Sequence, residues 1–317
     1  MRVRIHKSVA ASLKSPIMLA GWPGMGHVGL GGISYVRQKL GAEPFAEVDA
    51  HEYFTPEAIE VSEGLARFPD IPSNTFYVAR NPDVIIFESE TQISGDGGIA
   101  LMNEMLDFAA HHDVSRIFTG AAYAMPVSSS QPSKVLGVAN REPIRDLLVS
   151  QNVELLEGGS IQGLNGLLLG FAGMREMDAA CLLATMPQYA INLPNPKASR
   201  EIVLVIQRIL GRDVDLGDID EAVGKMSQTM GEIEEKIQSA FLDEAAEADE
   251  ELKEVDEEAV PQMVLERIER MFGEVALNGS KEKAAALKEE LDRWSLYAHY
   301  EDRFLDLFRD DESADEK

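Results

Sequence analysis

A glycine-rich turn near the start of the chain constrains the fold more than any other feature. Gly24, Gly26 and Gly29 spell G-x-G-x-x-G directly after an apolar run at residues 17–20. Apolar residues at helical spacing follow over residues 27–40. The stretch therefore predicts a buried strand, a tight turn and a helix, which together are the repeating unit of an α/β layer fold.

The turn itself allows three interpretations. Asp49 ends the next strand-like run about twenty residues further on, as the acidic residue of a dinucleotide-binding turn does. Pro23 lies inside the turn and argues against that interpretation. The glycines could instead form a phosphate or anion site at the helix N-terminus, where His27 could donate to the ligand. In the third interpretation they only let the helix pack tightly against its strand.

Strand-like and helix-like runs alternate over the first 215 residues, as expected of an α/β protein. The strand-like runs are residues 17–20, 45–48, 75–78, 84–87, 116–119 and 134–139. The helix-like runs are residues 27–40, 99–111, 143–150, 166–173, 178–184 and 196–210. Residues 50–78 are broken by prolines and favour a hairpin or meander. We therefore predict a three-layer α/β/α sandwich with a mixed sheet.

A second glycine cluster spans residues 158–170 and repeats the pattern of strand, turn and helix. Gly163 and Asn165 lie close to the start of the predicted helix. Two such turns in one α/β domain could frame a small-molecule pocket at the carboxyl ends of the strands. Glycine is also the ordinary residue at such junctions, so helix packing alone explains either turn.

Two carboxylates follow the predicted central strand, at the strand end where α/β sites usually lie. Glu88 and Glu90 fall on one side of an extended chain, which would suit acid/base chemistry or a magnesium ion. Solvated loop carboxylates are the alternative, because no matching spacing of carboxylate and histidine supports a metal. The candidate ligand-binding residues are Gly24, Gly26, His27, Gly29, Glu88, Glu90, Gly163 and Asn165. We predict no catalytic residue, no metal site and no cofactor.

The chain is strongly acidic, with 55 Asp and Glu against 29 Lys and Arg and a net charge of −26. Such a surface repels nucleic acid and anionic lipid, so we expect neither as a partner. Residues 226–317 hold 28 acidic and 11 basic side chains, a net charge of −17, and this asymmetry marks a boundary in the chain.

Beyond residue 216 the apolar pattern becomes helical and nearly heptad. The seam residues are Ile219, Val223, Met226, Met230, Ile233, Ile237 and Phe241, followed by Val264, Ile268, Met271 and Val275, and then by Leu287, Leu291, Trp294, Ala298, Leu305 and Phe308. An acid-rich stretch at residues 243–258 and a stop at Asn278-Gly279 separate the three groups, and Ser280 could cap the last helix. These helices need a partner, because one face of each is too apolar to stand alone in water.

These patterns divide the chain into three parts. We predict an α/β domain over residues 1–215, an acidic helical, coiled-coil extension over 216–309 and a disordered tail over 310–317. The single cysteine, Cys181, excludes an internal disulfide, and its apolar neighbours favour a buried structural thiol. No apolar run approaches the roughly 20 residues that cross a bilayer, and no signal core follows the basic N-terminus. We therefore expect a cytoplasmic protein without a membrane span.

Four segments, taken in their order along the chain, carry a resemblance to a known family. They are Gly21-x-Pro23-Gly24-Met25-Gly26-x-Val28-Gly29, Gly159-x-Ile161-x-Gly163-Leu164-Asn165-Gly166-Leu167-Leu168-Leu169, Ala184-Thr185-Met186-Pro187-Gln188-Tyr189 and Pro194-Asn195-Pro196-Lys197-Ala198. Together they resemble the PAC2 family, the proteasome assembly chaperone 2-like proteins. The resemblance covers roughly residues 10–225.

The resemblance implies a three-layer α/β sandwich related to the purine nucleoside phosphorylase fold, without that enzyme's established activity. Members of the family look like oligomeric scaffolds that bind proteasome α subunits during ring assembly. The resemblance thus implies a homo-oligomer, with proteasome α subunits or a related PAC2 protein as candidate partners. Some members dock through a C-terminal tail of a hydrophobic residue, tyrosine and any residue, whereas this sequence ends Asp315-Glu316-Lys317.

Two hypotheses of function follow. The first is a non-enzymatic assembly protein, a scaffold similar to the proteasome assembly chaperones. The second is a phosphorylase-like or ATP-grasp-type enzyme that uses a nucleotide or nucleoside at the glycine turns, beside Glu88 and Glu90. The sequence contains neither a P-loop G-K-[ST] nor an ATP-grasp lysine pattern, which favours the first hypothesis.

Overall fold

A computed structural model describes residues 2–5, 13–54, 58–253, 262–278, 281–294 and 296–307. The chain divides into two compact units, Met1–Glu234 and Glu235–Lys317, and each has a core of its own. Among the described helices, none is both long and apolar enough to cross a lipid bilayer.

One mixed sheet forms the centre of the first unit. The described strands, in chain order, are β1 (Arg2–Ile5), β2 (Ile17–Gly21), β3 (Glu43–Asp49), β4 (Glu60–Ser62), β5 (Leu65–Arg67), β6 (Asn74–Ala79), β7 (Val84–Ser89), β8 (Arg116–Met125), β9 (Val135–Ala139), β10 (Glu154–Leu155) and β11 (Ala179–Pro187). Within the described residues the sheet order is β1-β3-β6-β7-β2-β8-β11-β9-β10, and β4 and β5 form a separate hairpin.

The four central strands of the sheet, β7, β2, β8 and β11, run parallel to one another. On one side β6, β3 and β1 each pair antiparallel with their neighbour, and on the other side β9 pairs antiparallel with β11. The predicted mixed sheet is therefore confirmed. The β4–β5 hairpin lies within residues 50–78, where the prolines favoured a hairpin or meander.

Helices cover both faces of this sheet. The described helices are α1 (Val28–Lys39), α2 (Gly95–His111), α3 (Glu142–Ser150), α4 (Leu164–Met174), α5 (Pro196–Leu210), α6 (Gly217–Lys253), α7 (Gln262–Asn278), α8 (Lys281–Arg293) and α9 (Tyr297–Asp306). Buried residues of α2 and α4 pack in one hydrophobic core, which includes Met18 and Phe87 of the central strands. Buried residues of α1, α3 and α5 form a second core with Leu19 and Ile86. Because Met18 and Leu19 are consecutive in β2, the two cores lie on opposite faces.

The prediction of a helix at residues 178–184 is wrong. Residues 179–184 of this segment lie in β11, whose residues are buried almost throughout because strands flank it on both sides and helices cover both faces. A fully buried strand reads as a continuous apolar run, and its alanines and leucines are good helix formers, so periodicity alone does not separate the two structures. Hydrogen bonding to β8 and β9 decides for the strand.

Helix α6 begins at Gly217, and its first turns belong to the first unit. Ile219 and Met230 are buried in the same core as α1 and α5, so this part of the seam packs against the α/β layers. The side chains of Ile237 and Phe241 lie outside the described residues, as does part of the acid-rich stretch. The predicted boundary at residue 216 stays a prediction.

A carboxylate near the end of this packed part anchors α6 to the loop between β8 and β9. Glu234 accepts a hydrogen bond of 2.7 Å from the Ser129 backbone N–H and one of 2.9 Å from the Ser129 hydroxyl. Lys197 of α5 donates to the Ser129 carbonyl at 2.7 Å. Partial burial acts to raise the pKa of Glu234, but the hydrogen bonds to its carboxylate, led by those from Ser129, together outweigh it and hold that pKa below its ordinary value of 4.5.

We expect Glu234→Gln to lower the free energy of unfolding by about 1 to 2 kcal/mol at pH 7, because glutamine has no charge and offers one acceptor oxygen where the carboxylate offers two. A folded-state pKa below the unfolded value stabilises the protein above about pH 4.5, and this contribution disappears as the pH falls through the folded-state pKa. Urea unfolding from pH 7 to pH 3 should therefore show the two proteins converging. Glu232→Gln, at an exposed position on the same helix, is the matched control. A constant difference across the range would contradict this role of the charge.

The second unit has a small helical core of its own. Its buried residues come from α7, α8 and α9 and the segment between α8 and α9, and they include the predicted seam residues Val264, Ile268, Val275, Leu287 and Leu291. Arg303 of α9 donates two hydrogen bonds, of 2.6 and 2.7 Å, to the Glu269 carboxylate of α7. The predicted positions Gly279, Ser280 and Phe308, the side chains of Ala298 and Leu305, and the tail 310–317 lie outside the described residues.

Candidate functional site: a cleft between two glycine turns

The two glycine turns meet at one cleft. It has a volume of about 530 Å³ and lies at the carboxyl ends of β2, β8 and β11. Gly24 and Gly29 of the first turn line it, as do Gly163 and Asn165 of the second. The structure therefore brings together four of the eight residues that the sequence proposes for ligand binding. Whether a ligand binds there stays a prediction.

Asn165 joins the two turns through the backbone of Trp22. Its side-chain oxygen accepts from the Trp22 N–H at 3.2 Å, and its side-chain nitrogen donates to the Trp22 carbonyl at 3.3 Å. The Asn165 carbonyl accepts from the Thr119 hydroxyl of β8 at 2.7 Å. Asn165 is 4% exposed and Trp22 is fully buried, so these bonds are made out of contact with water.

Gln92 forms a second bridge between the turns. Its side-chain nitrogen donates to the Pro23 carbonyl at 2.7 Å, and its oxygen accepts from the Leu164 N–H at 3.1 Å. The Leu164 N–H is one of the free donors at the start of α4, which an anion would need. The protein already satisfies this donor itself.

The backbone groups of Gly26 in the first turn are also hydrogen-bonded within the protein. The Gly26 N–H donates to the Ile191 carbonyl at 2.7 Å, and the Gly26 carbonyl accepts from the Asn195 N–H at 2.9 Å. Gly26 has a φ of 58°, and a Cβ placed there would lie 2.9 Å from the Met186 methyl group. In a dinucleotide-binding turn the second glycine lets the pyrophosphate approach the backbone. Here the segments around residues 186–195 fill that position.

Gly29 sets the distance between α1 and the sheet. A Cβ on Gly29 would lie 1.8 Å from the Gly120 carbonyl oxygen, and one on Gly120 would lie 2.8 Å from the Gly29 Cα. The backbone of the helix therefore rests directly on the backbone of β8, which only two glycines permit. Of the three interpretations of the first turn, this contact supports tight helix packing.

The cleft carries no charge among the described residues that line it. Its polar side chains are Gln92, Tyr123, Ser160, Gln162 and Asn165, and the rest of the lining is apolar side chain or glycine. No carboxylate, imidazole, amine or thiol of this lining is placed to transfer a proton or attack a substrate. The hydroxyl groups of the lining belong to Tyr123 and Ser160.

The remaining candidate residues lie elsewhere. Glu88 accepts from the Arg37 guanidinium of α1 at 2.8 Å, and Glu90 accepts from the Ser73 N–H at 2.7 Å. Neither carboxylate lines the cleft, so the proposed grouping of glycine turns and carboxylates is not formed. His27 was expected in the first helical turn, but it precedes α1 with a left-handed φ of 50°. Together with Gly26 it lines a different groove, beside Tyr35 and Met226.

Cys181 lies in β11 and is fully buried, as its apolar neighbours predict. Burial raises the pKa of its thiol to about 12, although a hydrogen bond with Thr119 acts in the opposite direction. The thiol is therefore not a nucleophile at neutral pH.

Sequence reasoning missed Trp22 and Gln92, which hold the two turns together. The signal for Gln92 is weak, since a polar residue in a glycine-containing loop after a strand is ordinary. The Trp22 contacts are made by its backbone, which no side-chain pattern reveals. Only the closeness of segments more than a hundred residues apart identifies this bridge.

The fold places the chain among α/β proteins with a large mixed sheet covered by helices, and the sequence matches one family with this fold. Residues 18–234 match the PAC2 family, and the chain belongs to it. The family resemblance seen in the sequence is thus confirmed. An uncharacterized protein of Methanocaldococcus jannaschii is 21% identical over 244 residues, which are 75% of this chain and 92% of that protein.

Solved structures share the fold. PbaB of Pyrococcus furiosus, an archaeal proteasome activator, has a TM-score of 0.62 and 25% sequence identity, and the match covers 73% of this chain and 98% of PbaB. PbaA of the same organism, an archaeal homologue of proteasome-assembly chaperone, has a TM-score of 0.57 and 21% identity, with 75% of this chain and 99% of PbaA covered. At that identity the match to PbaA demonstrates the fold alone.

Proposed function

We propose that this protein is a non-enzymatic, self-associating scaffold that binds proteasome α subunits, in the manner of a proteasome assembly chaperone. The proposal is carried by membership of the PAC2 family together with the structural match to PbaB, which covers 98% of the PbaB chain. The cytoplasm is the proposed compartment.

The geometry of the cleft supports a binding role. Its lining has no charged side chain, and the backbone donors of Gly26 and Leu164 are bonded within the protein. The enzyme hypothesis requires a site in which glycine turns and carboxylates face one another, whereas Glu88 is paired with Arg37. The relation to the nucleoside phosphorylase fold, the coiled-coil character of residues 216–309 and the possible partnership with a second PAC2 protein are kept as predictions.

A binding experiment tests the proposed function. The full chain, carrying an affinity tag, is mixed with purified proteasome α subunits from the same organism at physiological salt. We expect the α subunits to be retained and the β subunits alone to pass through. The matched control is the same tagged chain unfolded by prior heating. If the α subunits pass through as freely as the β subunits, the proposed function is wrong.

A further inference from the structure

Helix α4 differs from the other surface helices of the sandwich because it carries no charged residue. Its sequence, from Leu164 to Met174, is LNGLLLGFAGM. By contrast, α5 carries Lys197, Arg200, Glu201 and Arg208 on a helix of similar length. A helix that lies on the surface of a soluble protein normally presents charged side chains to water, and one that is apolar on every side is normally buried.

The outer face of α4 is apolar and open. Leu164 and Leu168 are buried against the sheet, whereas Leu167 is 52% exposed and Met174 is 84% exposed. Leu167, Gly170 and Met174 repeat at helical spacing along this outer face, and Phe171 is half-buried beside them. A Cβ added to Gly170 would have no neighbour within 4 Å, so none of the described residues covers the centre of this apolar stripe of Leu167, Gly170 and Met174.

The stripe contains both a knob and a hole. A depression of about 400 Å³ lies at its beginning, lined by Ile99 of α2 and by Leu167 and Phe171 of α4. Met174 projects at the other end, seven residues and about 10 Å further along the helix axis. A two-fold axis near Gly170 would place the Met174 of each copy in the depression of the other, and such a contact is self-complementary.

Charge restricts where a second copy can lie. The chain has a net charge of −26, so two copies repel each other over most of their surface. Helix α4 itself contributes no carboxylate to such a contact. Arg175, the positively charged residue directly after α4, already has partners within the chain. It forms an ion pair of 2.9 Å with Asp107 and donates to Asn103.

We propose that the outer face of α4, completed by Ile99, is the surface through which two copies of this chain associate, with the two α4 helices antiparallel and closest at Gly170. The inference rests on the self-associating scaffold proposed above and names its interface. A helix of this length is short for a stable contact on its own. Ile99 of α2, which lines the same depression, therefore belongs to the same interface.

Sedimentation of the full chain tests this interface. We expect the wild-type protein to have the mass of two chains or a multiple of two, and Gly170→Gln and Met174→Glu to lower that mass at least twofold. Gly170 is exposed and without neighbours, so its substitution leaves the folded monomer intact. Gly224→Gln in α6 is the matched control, since Gly224 is also exposed and without neighbours. A monomeric wild type, or variants that keep the wild-type mass, would overturn the proposal.

A thiol at the proposed axis gives a second measurement. Gly170→Cys should form a covalent pair of chains under mild oxidation, whereas Gly224→Cys should not. The native Cys181 does not interfere, because it is fully buried. Retention of α subunits is measured in parallel on wild type and on Gly170→Gln. If Gly170→Cys forms no covalent pair but the α subunits are still retained, the interface alone is refuted. If the covalent pair forms but the α subunits are not retained, only the proposed function is refuted.

Discussion

Replacing Gly29 by alanine should destabilise the α/β unit by about 3 kcal/mol or more, the largest effect we expect from adding one methyl group to this protein. The added Cβ would lie 1.8 Å from the Gly120 carbonyl oxygen and 2.2 Å from its carbon. Both of these are backbone atoms of the central strand β8, so no side-chain rotation relieves the clash. Helix α1 must instead move away from the sheet and open the core between them. Urea unfolding of both proteins, followed by circular dichroism, measures the difference.

Gly24 provides the matched control for this substitution. It belongs to the same turn, has an extended backbone, and an added Cβ would approach only the Asn165 side chain, at 4.0 Å. We expect Gly24→Ala to change the free energy of unfolding by no more than about 0.5 kcal/mol. Equal effects of the two substitutions would show that the turn is sensitive as a whole, and that the contact between Gly29 and Gly120 is not what matters.

The second large effect is expected at Asn165. Asn165→Ala removes the acceptor of the Trp22 N–H and the donor to the Trp22 carbonyl, and both groups are buried. An unsatisfied buried polar group costs about 1 to 3 kcal/mol, so we expect a loss of about 2 to 4 kcal/mol. Calorimetric unfolding of the full chain, analysed for the transition of the α/β unit, provides the measurement.

Gln162→Ala is the control for Asn165→Ala. Gln162 lines the same cleft three residues earlier, but its side chain is exposed. We expect this variant to unfold within about 0.5 kcal/mol of wild type. If Asn165→Ala were equally mild, a water molecule would have to replace both hydrogen bonds, and the bridge between the turns would not be structural.

The layered fold could be predicted from local pattern because its strands and helices alternate with clear punctuation. The strand before Gly24, the helix after it and the continuous apolar strand at 84–87 are all present. Strand β11 could not be separated from a helix, since a run such as Ala179 to Ala184 has no polar residue to reveal its period. Its identity depends on partners in β8 and β9, which lie far away in sequence.

The candidate site could be predicted only in part, for a similar reason. That each glycine turn precedes a helix could be predicted from local sequence. Their meeting depends on the tertiary structure, because β10, the strand before the second turn, lies at the edge of the sheet and runs antiparallel to β2. The partner of Glu88 does not follow, because Arg37 lies 51 residues earlier on a helix whose rotation depends on the Gly29 contact. The exposed face of α4 was also hidden, since an apolar stretch does not indicate which of its sides the protein leaves uncovered.

The sheet order has a consequence for the synthesis of the chain. Strand β2 is the second strand to be made, yet it lies in the middle of the sheet between β7 and β8, which are encoded 67 and 99 residues later. On the ribosome this apolar segment has no partner until β7, which ends at Ser89, has emerged, and its other edge stays open until β8 has been made up to Met125. The free edge of β8 waits further for β11. Strand pairings between segments so far apart in sequence form slowly, and the apolar side chains of the unpaired strands stay exposed in the meantime. The nascent protein is therefore most exposed to aggregation before its release, when its central strands are made but not yet joined.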